Sequence, residues 1–143
     1  MNALFLLFAL TVSYVPADST VLQIHDLTNV YRVKKHRDTL SLDSTLCAIA
    51  LEHSMNMAKG KVRFGHKGFD KRMKKAVSEG VGTSLGENVY MSSGSTTPDE
   101  ALDAWIHSSG HRENIKDKSW KKVGYGIAVA KDGETYYTQL FSN

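Results

Sequence analysis

The amino-acid sequence predicts an α+β fold in which helices surround a small antiparallel sheet. Two patterns carry this prediction. The first half of the chain repeats apolar residues at helical spacing, whereas residues 122–130 alternate as a strand does, with Val123, Tyr125 and Ile127 on one face. Asp132 and Gly133 then provide a hairpin-turn signal before a returning strand over residues 135–141. The predicted order is therefore helices, a short strand over residues 87–91, a further helix and a terminal hairpin.

Three helices are predicted before the first strand, over residues 20–35, 43–59 and 69–77. The second can be capped by Asp43 or Ser44, and Gly60 can close it. Each helix has one apolar face: Ile24, Leu27 and Tyr31 in the first, Leu46, Ala50, His53 and Met57 in the second, and Phe69, Met73 and Ala76 in the third. His53 is interpreted as a hydrogen-bonded core histidine. The solvent-facing cations are expected to be the basic residues of 32–37 and Lys71, Arg72, Lys74 and Lys75.

A fourth helix is predicted to start at residue 97 and to run into W-I-H-S-S-G-H-R-E-N-I at residues 105–115. Thr97 and Glu100 form a capping box, and Pro98 occupies the first helical position. Gly110 is expected to end this helix, because glycine can take a positive φ. His111 and the polar residues after it would then emerge past the helix C-terminus, over a cleft.

The composition indicates one globular domain. The chain has 143 residues, of which 41% are hydrophobic and 23% charged, enough for a single sizeable core. Its formal charge of +3 is too small to indicate nucleic acid as a partner. Cys47, the only cysteine, excludes an intrachain disulfide and is interpreted as a small buried hydrophobe.

Residues 1–17 are predicted to be a secretory signal peptide. An apolar run over residues 4–10 precedes the small residue Ala17, and it is too short to span a membrane. We therefore expect a mature chain of residues 18–143, forming one domain that is secreted, extracellular and not an integral membrane protein. The alternative is a buried N-terminal helix, since no Lys or Arg precedes the apolar run.

Polar motifs interrupt the apolar pattern in a characteristic order. F-G-H at residues 64–66 is followed by G-E-N-V at 86–89, the sequence at 105–115 described above, and V-G-Y-G at 123–126. The H-E-x-x-H of zinc proteases is absent from the sequence. This order resembles the CAP superfamily, which comprises cysteine-rich secretory proteins, insect venom antigens and plant pathogenesis-related proteins. The likeness is greatest to its short, disulfide-free branch and covers about residues 22–141.

The resemblance implies a three-layer α-β-α sandwich and a central cleft that two histidines and two glutamates often line. His66 matches the first histidine, and Glu87 matches the glutamate of the G-E-N motif. Ser108 stands where the second glutamate is usual, and Tyr136 stands where the second histidine is usual. His111 is inferred to replace that histidine.

The binding cleft expected from the resemblance consists of His66, Glu87, Asn88, Ser108 and His111. Two imidazoles and one carboxylate can hold a divalent metal with water completing the shell. His66, His111 and Glu87 are therefore the candidate ligands of a metal, with zinc as the ion expected. A carboxylate–histidine pair without any metal is the alternative.

Three functions stay open at this level. The favoured one is a secreted, non-enzymatic CAP domain that binds a metal ion, a lipid or sterol, or a cell-surface protein in or beside the cleft. The second is an extracellular metal-dependent hydrolase or peptidase, which the incomplete set of carboxylates disfavours. The third is a purely structural extracellular domain.

Overall fold

The computed structural model describes residues 19–143, so the predicted signal peptide lies outside the described residues. In that part of the chain the elements are α1 (Ser19–Lys34), β1 (Ser41–Leu42), α2 (Ser44–Ala58), α3 (Phe69–Ser78), β2 (Leu85–Ser92), α4 (Pro98–His107), α5 (Ser109–Lys116), β3 (Lys122–Val129) and β4 (Thr135–Ser142). The predicted α+β class is confirmed. None of the helices described is long and apolar enough to cross a membrane.

The four described strands form one sheet in the order β1-β3-β4-β2. β3 and β4 are the antiparallel hairpin that the sequence predicts, and Gly133 at its turn has a φ of 92°. β2 pairs antiparallel with β4 along its whole length, with Glu87 opposite Leu140. The two-residue strand β1 pairs in parallel with β3, a local addition that the sequence pattern does not predict.

Helices cover both faces of this sheet, as the α-β-α prediction requires. Successive strand residues point to opposite faces, so each face has its own core. Below one face lie α1, α4 and α5, which contribute Ile24, Trp105 and Ile115 to the first core. Against the other face lie α2 and α3, which contribute residues such as Leu46 and Ala76 to the second.

The close approach of α2 to the sheet depends on glycine in β3. A Cβ added to Gly126 would collide with the backbone of Ala50 and Leu51 in α2. The same absence of a side chain lets Ser54 donate a hydrogen bond of 2.9 Å to the Gly126 carbonyl. The inner stripe predicted for α2, Leu46, Ala50, His53 and Met57, is buried throughout.

The prediction that Gly110 ends the fourth helix is wrong. The capping box between Thr97 and Glu100 is present, but α4 ends at His107. Ser108 adopts an extended conformation, with φ −93° and ψ 121°, and its carbonyl accepts the Arg112 N–H at 2.9 Å. A second helix, α5, therefore begins at once and contains Gly110 without a positive φ. His111 consequently lies on a helix rather than beyond one.

Candidate ligand-binding cleft

Glu87 lies on edge strand β2 with its carboxylate clamped by an arginine of α3. Arg72 donates from Nε to Oε2 at 2.6 Å and from Nη2 to Oε1 at 2.8 Å. The Glu87 side chain is only 2% exposed, and that of Arg72 is 11% exposed. Two parallel charge-assisted hydrogen bonds in a buried place make this a geometrically specific ion pair.

His66 completes the clamp from the loop between α2 and α3. Its Nδ1 lies 2.8 Å from Oε1 of Glu87. Because an ionised carboxylate can only accept, Nδ1 carries the proton and donates it. In the neutral ring, Nε2 then keeps its lone pair, and the side chain is 52% exposed. The structure therefore brings His66 and Glu87 together and leaves one imidazole nitrogen available to a ligand.

A second histidine, His53, forms a hydrogen bond with Arg72. His53 of α2 is buried, donates from Nε2 to the Gly65 carbonyl at 2.8 Å and accepts from Arg72 Nη1 at 3.1 Å. Burial lowers the pKa of His53; the hydrogen bond to Gly65 raises it, and the charge of Arg72 lowers it. The ring is therefore neutral when it accepts from Arg72, and its interpretation as a core histidine is confirmed.

Arg72 is the residue at this site that the sequence prediction placed wrongly. It was assigned to the solvent-facing cations of α3, yet it contacts Glu87 and His53. Helical spacing contains the missed signal, because residue 72 is three after Phe69 and four before Ala76, both of which face the core. The spacing therefore puts Arg72 on the inner face of α3.

Two asparagines join α5 to β2 on the opposite side of the strand. Asn88 is fully buried and donates to Gln139 Oε1 at 2.9 Å and to the His111 carbonyl at 3.1 Å. Asn114 donates to Asn88 Oδ1 at 2.9 Å and to the Glu87 carbonyl at 3.1 Å. Asn88 thus fixes α5 against β2 rather than lining an open surface.

Arg32 holds the other end of α5 and corrects a second expectation. The sequence predicts it to be solvated, but it is fully buried. Its Nη1 donates to the carbonyls of Ile115 at 2.6 Å and Asp117 at 2.9 Å, and its Nε donates to the backbone carbonyl of Asp38 at 2.8 Å. Carbonyls at a helix C-terminus lack partners within the helix, so a cation there satisfies them. Arg32 thereby positions the helix that carries His111 and Asn114.

His111 and Ser108 occupy different places around the site. The pKa of the His111 imidazole is lowered, first by burial and then by the charge of His66. Ser108 forms the junction between α4 and α5, and its side chain makes no capping hydrogen bond. Tyr136, at the usual position of the second histidine, donates to Glu134 Oε2 at 2.6 Å.

The cleft itself has a volume of about 290 Å³ and lies beside the clamped carboxylate. Its lining consists of His66, Phe69, Leu85, Gly86, Glu87 and Asn114. Asn114 was expected over a cleft with the other polar residues that follow Gly110, but it was not among the binding-cleft residues expected from the resemblance. Since the Glu87 side chain is almost wholly covered, the exposed polar groups of the cleft belong mainly to His66 and Asn114.

The donor set offers limited support for a metal. Within residues 19–143, no group of three or more His, Cys, Asp and Glu is placed to hold an ion. Both Glu87 oxygens already accept hydrogen bonds, so this carboxylate does not fit the role of a direct ligand. The imidazoles of His66 and His111 remain as the groups that could bind one.

Sequence similarity identifies the family of this chain. Residues 25–141 match the model of the cysteine-rich secretory protein family, CAP. The chain belongs to the CAP family. The Bacillus subtilis protein YkwD, described as uncharacterized, is 32% identical over an alignment of 125 residues that covers 83% of this chain and 45% of that protein. The membrane protein YlbC of the same organism, also described as uncharacterized, is 31% identical over 123 residues, 83% of this chain and 33% of that protein.

Solved structures share the fold. An extracellular SCP-domain protein from Bacillus anthracis superposes with a TM-score of 0.72 at 27% identity, covering 87% of this chain and 40% of that one. NaASP2, whose structure was determined with Zn²⁺, superposes with a TM-score of 0.59 at 15% identity, covering 86% of this chain and 77% of that one. This CAP chain spans less than half of YkwD, YlbC and the Bacillus anthracis protein.

Proposed function

We propose that this CAP protein is a non-enzymatic binding module that takes its ligand in the cleft beside His66. The clamped state of Glu87 is the observation that supports this most. A general acid or base must reach the substrate within hydrogen-bond distance. Glu87 instead accepts three charge-assisted hydrogen bonds and is 2% exposed, so it orients His66 and does not face a substrate.

A lipid or an extracellular protein is the partner class that suits this cleft. Phe69 and Leu85 give it an apolar wall, while His66 offers a half-exposed imidazole. Ligand sites commonly combine an apolar lining with a few polar groups that fix orientation. Peptidase assays on a fluorescent protein substrate should show no turnover. Turnover that disappears in His66→Ala would instead favour the hydrolase.

Export from the cell forms part of this proposal. It is supported by the leader pattern of residues 1–17 and by the extracellular SCP-domain protein of Bacillus anthracis. We expect the secreted protein to begin near Asp18. Mass spectrometry of secreted material measures its N-terminus, and an intact Met1 would contradict the proposed cleavage.

Zinc is a second candidate ligand, supported by the free Nε2 of His66, by His111 on the helix that carries the cleft residue Asn114, and by the zinc in the structure of NaASP2. Glu87 would act behind the metal, since a carboxylate that accepts the second N–H of a ligating histidine fixes its tautomer. A bound divalent ion would supply positive charge and open coordination positions for a ligand. The purely structural alternative predicts that the cleft binds neither zinc nor any other ligand.

Calorimetric titration of the mature protein with zinc at neutral pH tests this candidate. We expect one equivalent to bind, with loss of binding in His66→Ala and in His111→Ala. His107→Ala is the matched control, because that imidazole is 74% exposed and bonds only to its own helix. Affinity should fall as the pH drops through the histidine range, because protons compete for the ring nitrogens. Equal binding by all three variants would remove zinc from the proposed site.

A further inference from the structure

A second concave site, named here the α2–α3 pocket, lies on the other side of Arg72 from the cleft. Its volume is about 500 Å³. The lining comes from α2, α3 and the loop between them and consists of Ile49, Glu52, His53, Asn56, Val62, Lys67, Gly68, Lys71, Arg72 and Lys75. The two linings have no residue in common: Arg72 lines the α2–α3 pocket only, and His66 and Asn114 line the cleft only.

Three hydrogen-bond donors of this pocket have no partner among the described residues. The ammonium groups of Lys67 and Lys71 form no ion pair there, and the side-chain amide of Asn56 forms no hydrogen bond there. Lys75, by contrast, is paired with Glu52 at 2.9 Å. Glu52 is the only acid in the lining, so two ammonium groups remain without a counter-charge.

The charge around the pocket is concentrated rather than spread over the chain. Residues 59–75 contain eight Lys and Arg residues and a single acid, Asp70, whereas the whole chain has a formal charge of only +3. Outside that segment, acids therefore outnumber Lys and Arg. A concave site within a strongly positive surface raises the local concentration of anions.

We propose that the α2–α3 pocket binds a phosphate monoester whose organic part is apolar. Lysine ammonium groups bind phosphate as point charges, and two of them suit a dianion better than a single carboxylate. Asn56 offers an amide donor to the same anion, while Ile49 and Val62 provide apolar contact for the organic part. The site is independent of the proposed cleft ligand, because none of its uncompensated donors touches His66 or Glu87.

Phenyl phosphate is the probe, titrated into the mature protein near pH 8, where phosphate monoesters are dianions. Amide chemical shifts should move in α2, α3 and the loop between them. Lys67→Gln and Lys71→Gln should each weaken binding about tenfold, since each removes one charge-assisted contact. Lys74→Gln is the matched control, because Lys74 is an exposed cation of the same helix outside the lining.

Two further ligands test the chemical class. Benzoate has the same ring with one charge fewer, and inorganic phosphate has the charge without the apolar part, so both should bind more weakly. The proposal is overturned if benzoate binds as tightly as phenyl phosphate, or if Lys74→Gln weakens binding as much as Lys71→Gln. Shifts confined to the cleft around His66, or no binding at about 10 mM, which lies well above ordinary ligand affinities, would overturn it as well. Thermal melts of each variant show whether the fold is retained.

Discussion

Replacing Arg72 by methionine should destabilise the protein strongly, because it leaves a buried carboxylate without its partner. The Glu87 side chain is 2% exposed and accepts from Arg72 on both oxygens. Removing one member of a buried ion pair costs about 3–5 kcal/mol, since the remaining carboxylate loses its counter-charge, is shielded from water and keeps only the hydrogen bond from His66. Hydrogen bonds from Arg72 to His53 and to the Lys67 carbonyl are lost too. We therefore expect a loss in the upper part of that range.

Urea unfolding at neutral pH measures this loss, and thermal melting should show a decrease in Tm of roughly 15–20 °C for a chain of this size. Lys74→Met is the matched control, because it removes an exposed cation from the same helix. The double variant Arg72→Met/Glu87→Leu removes both charges and should recover most of the lost free energy. A loss below about 1 kcal/mol for Arg72→Met, typical of a solvent-exposed pair, would refute the buried clamp.

Three further predictions concern the buried framework. Stability should fall as the pH drops from about 7 to about 5. Folding lowers the pKa of His53, whereas the unfolded chain keeps the ordinary histidine value of about 6.5, so the unfolded chain binds the proton at a higher pH than the folded chain does. In urea unfolding across that range, His53→Gln should lose less stability than wild type on acidification, while the exposed His107→Gln should match wild type. Gly126→Ala should lower the free energy of unfolding by about 3 kcal/mol, measured by thermal melting, because the added Cβ would collide with the backbone of α2. The control Gly94→Ala adds a Cβ in open space and should melt like wild type. Trp105→Ala should lower the free energy of unfolding by about 3–5 kcal/mol, measured by urea unfolding, because the residue is 1% exposed. A urea midpoint near that of wild type would show that Trp105 does not anchor the core.

The helices and the hairpin could be predicted because their signals are local. The buried stripe of α2, the capping box at Thr97 and the Asp-Gly turn each depend on residues a few positions apart. The break at Ser108 was missed for the opposite reason. Nothing in the serine itself prescribes an extended conformation, whereas Gly110 supplied a stronger local stop signal that the tertiary packing of α5 against β2 overrides.

The site was predicted only where a motif marks it. His66 and Glu87 were found through their motifs, but their partner Arg72 is an ordinary member of a basic helix in the sequence. Its role follows from the distance between α3 and β2, which no local pattern contains. Arg32 shows the same limit, since the two acceptors that join it to the end of α5 lie 83 and 85 residues away along the chain.

The most direct test of the contact between Glu87 and His66 is to measure which ring nitrogen of His66 carries the proton. A long-range proton–nitrogen correlation spectrum of labelled protein near pH 8 separates the two neutral tautomers of each histidine. Since Glu87 accepts from Nδ1, His66 should carry its proton on Nδ1 in wild type and move toward the Nε2–H form in Glu87→Leu. His66 found as the Nε2–H tautomer in wild type would contradict the clamp, because Nδ1 would then have no proton to donate to Glu87.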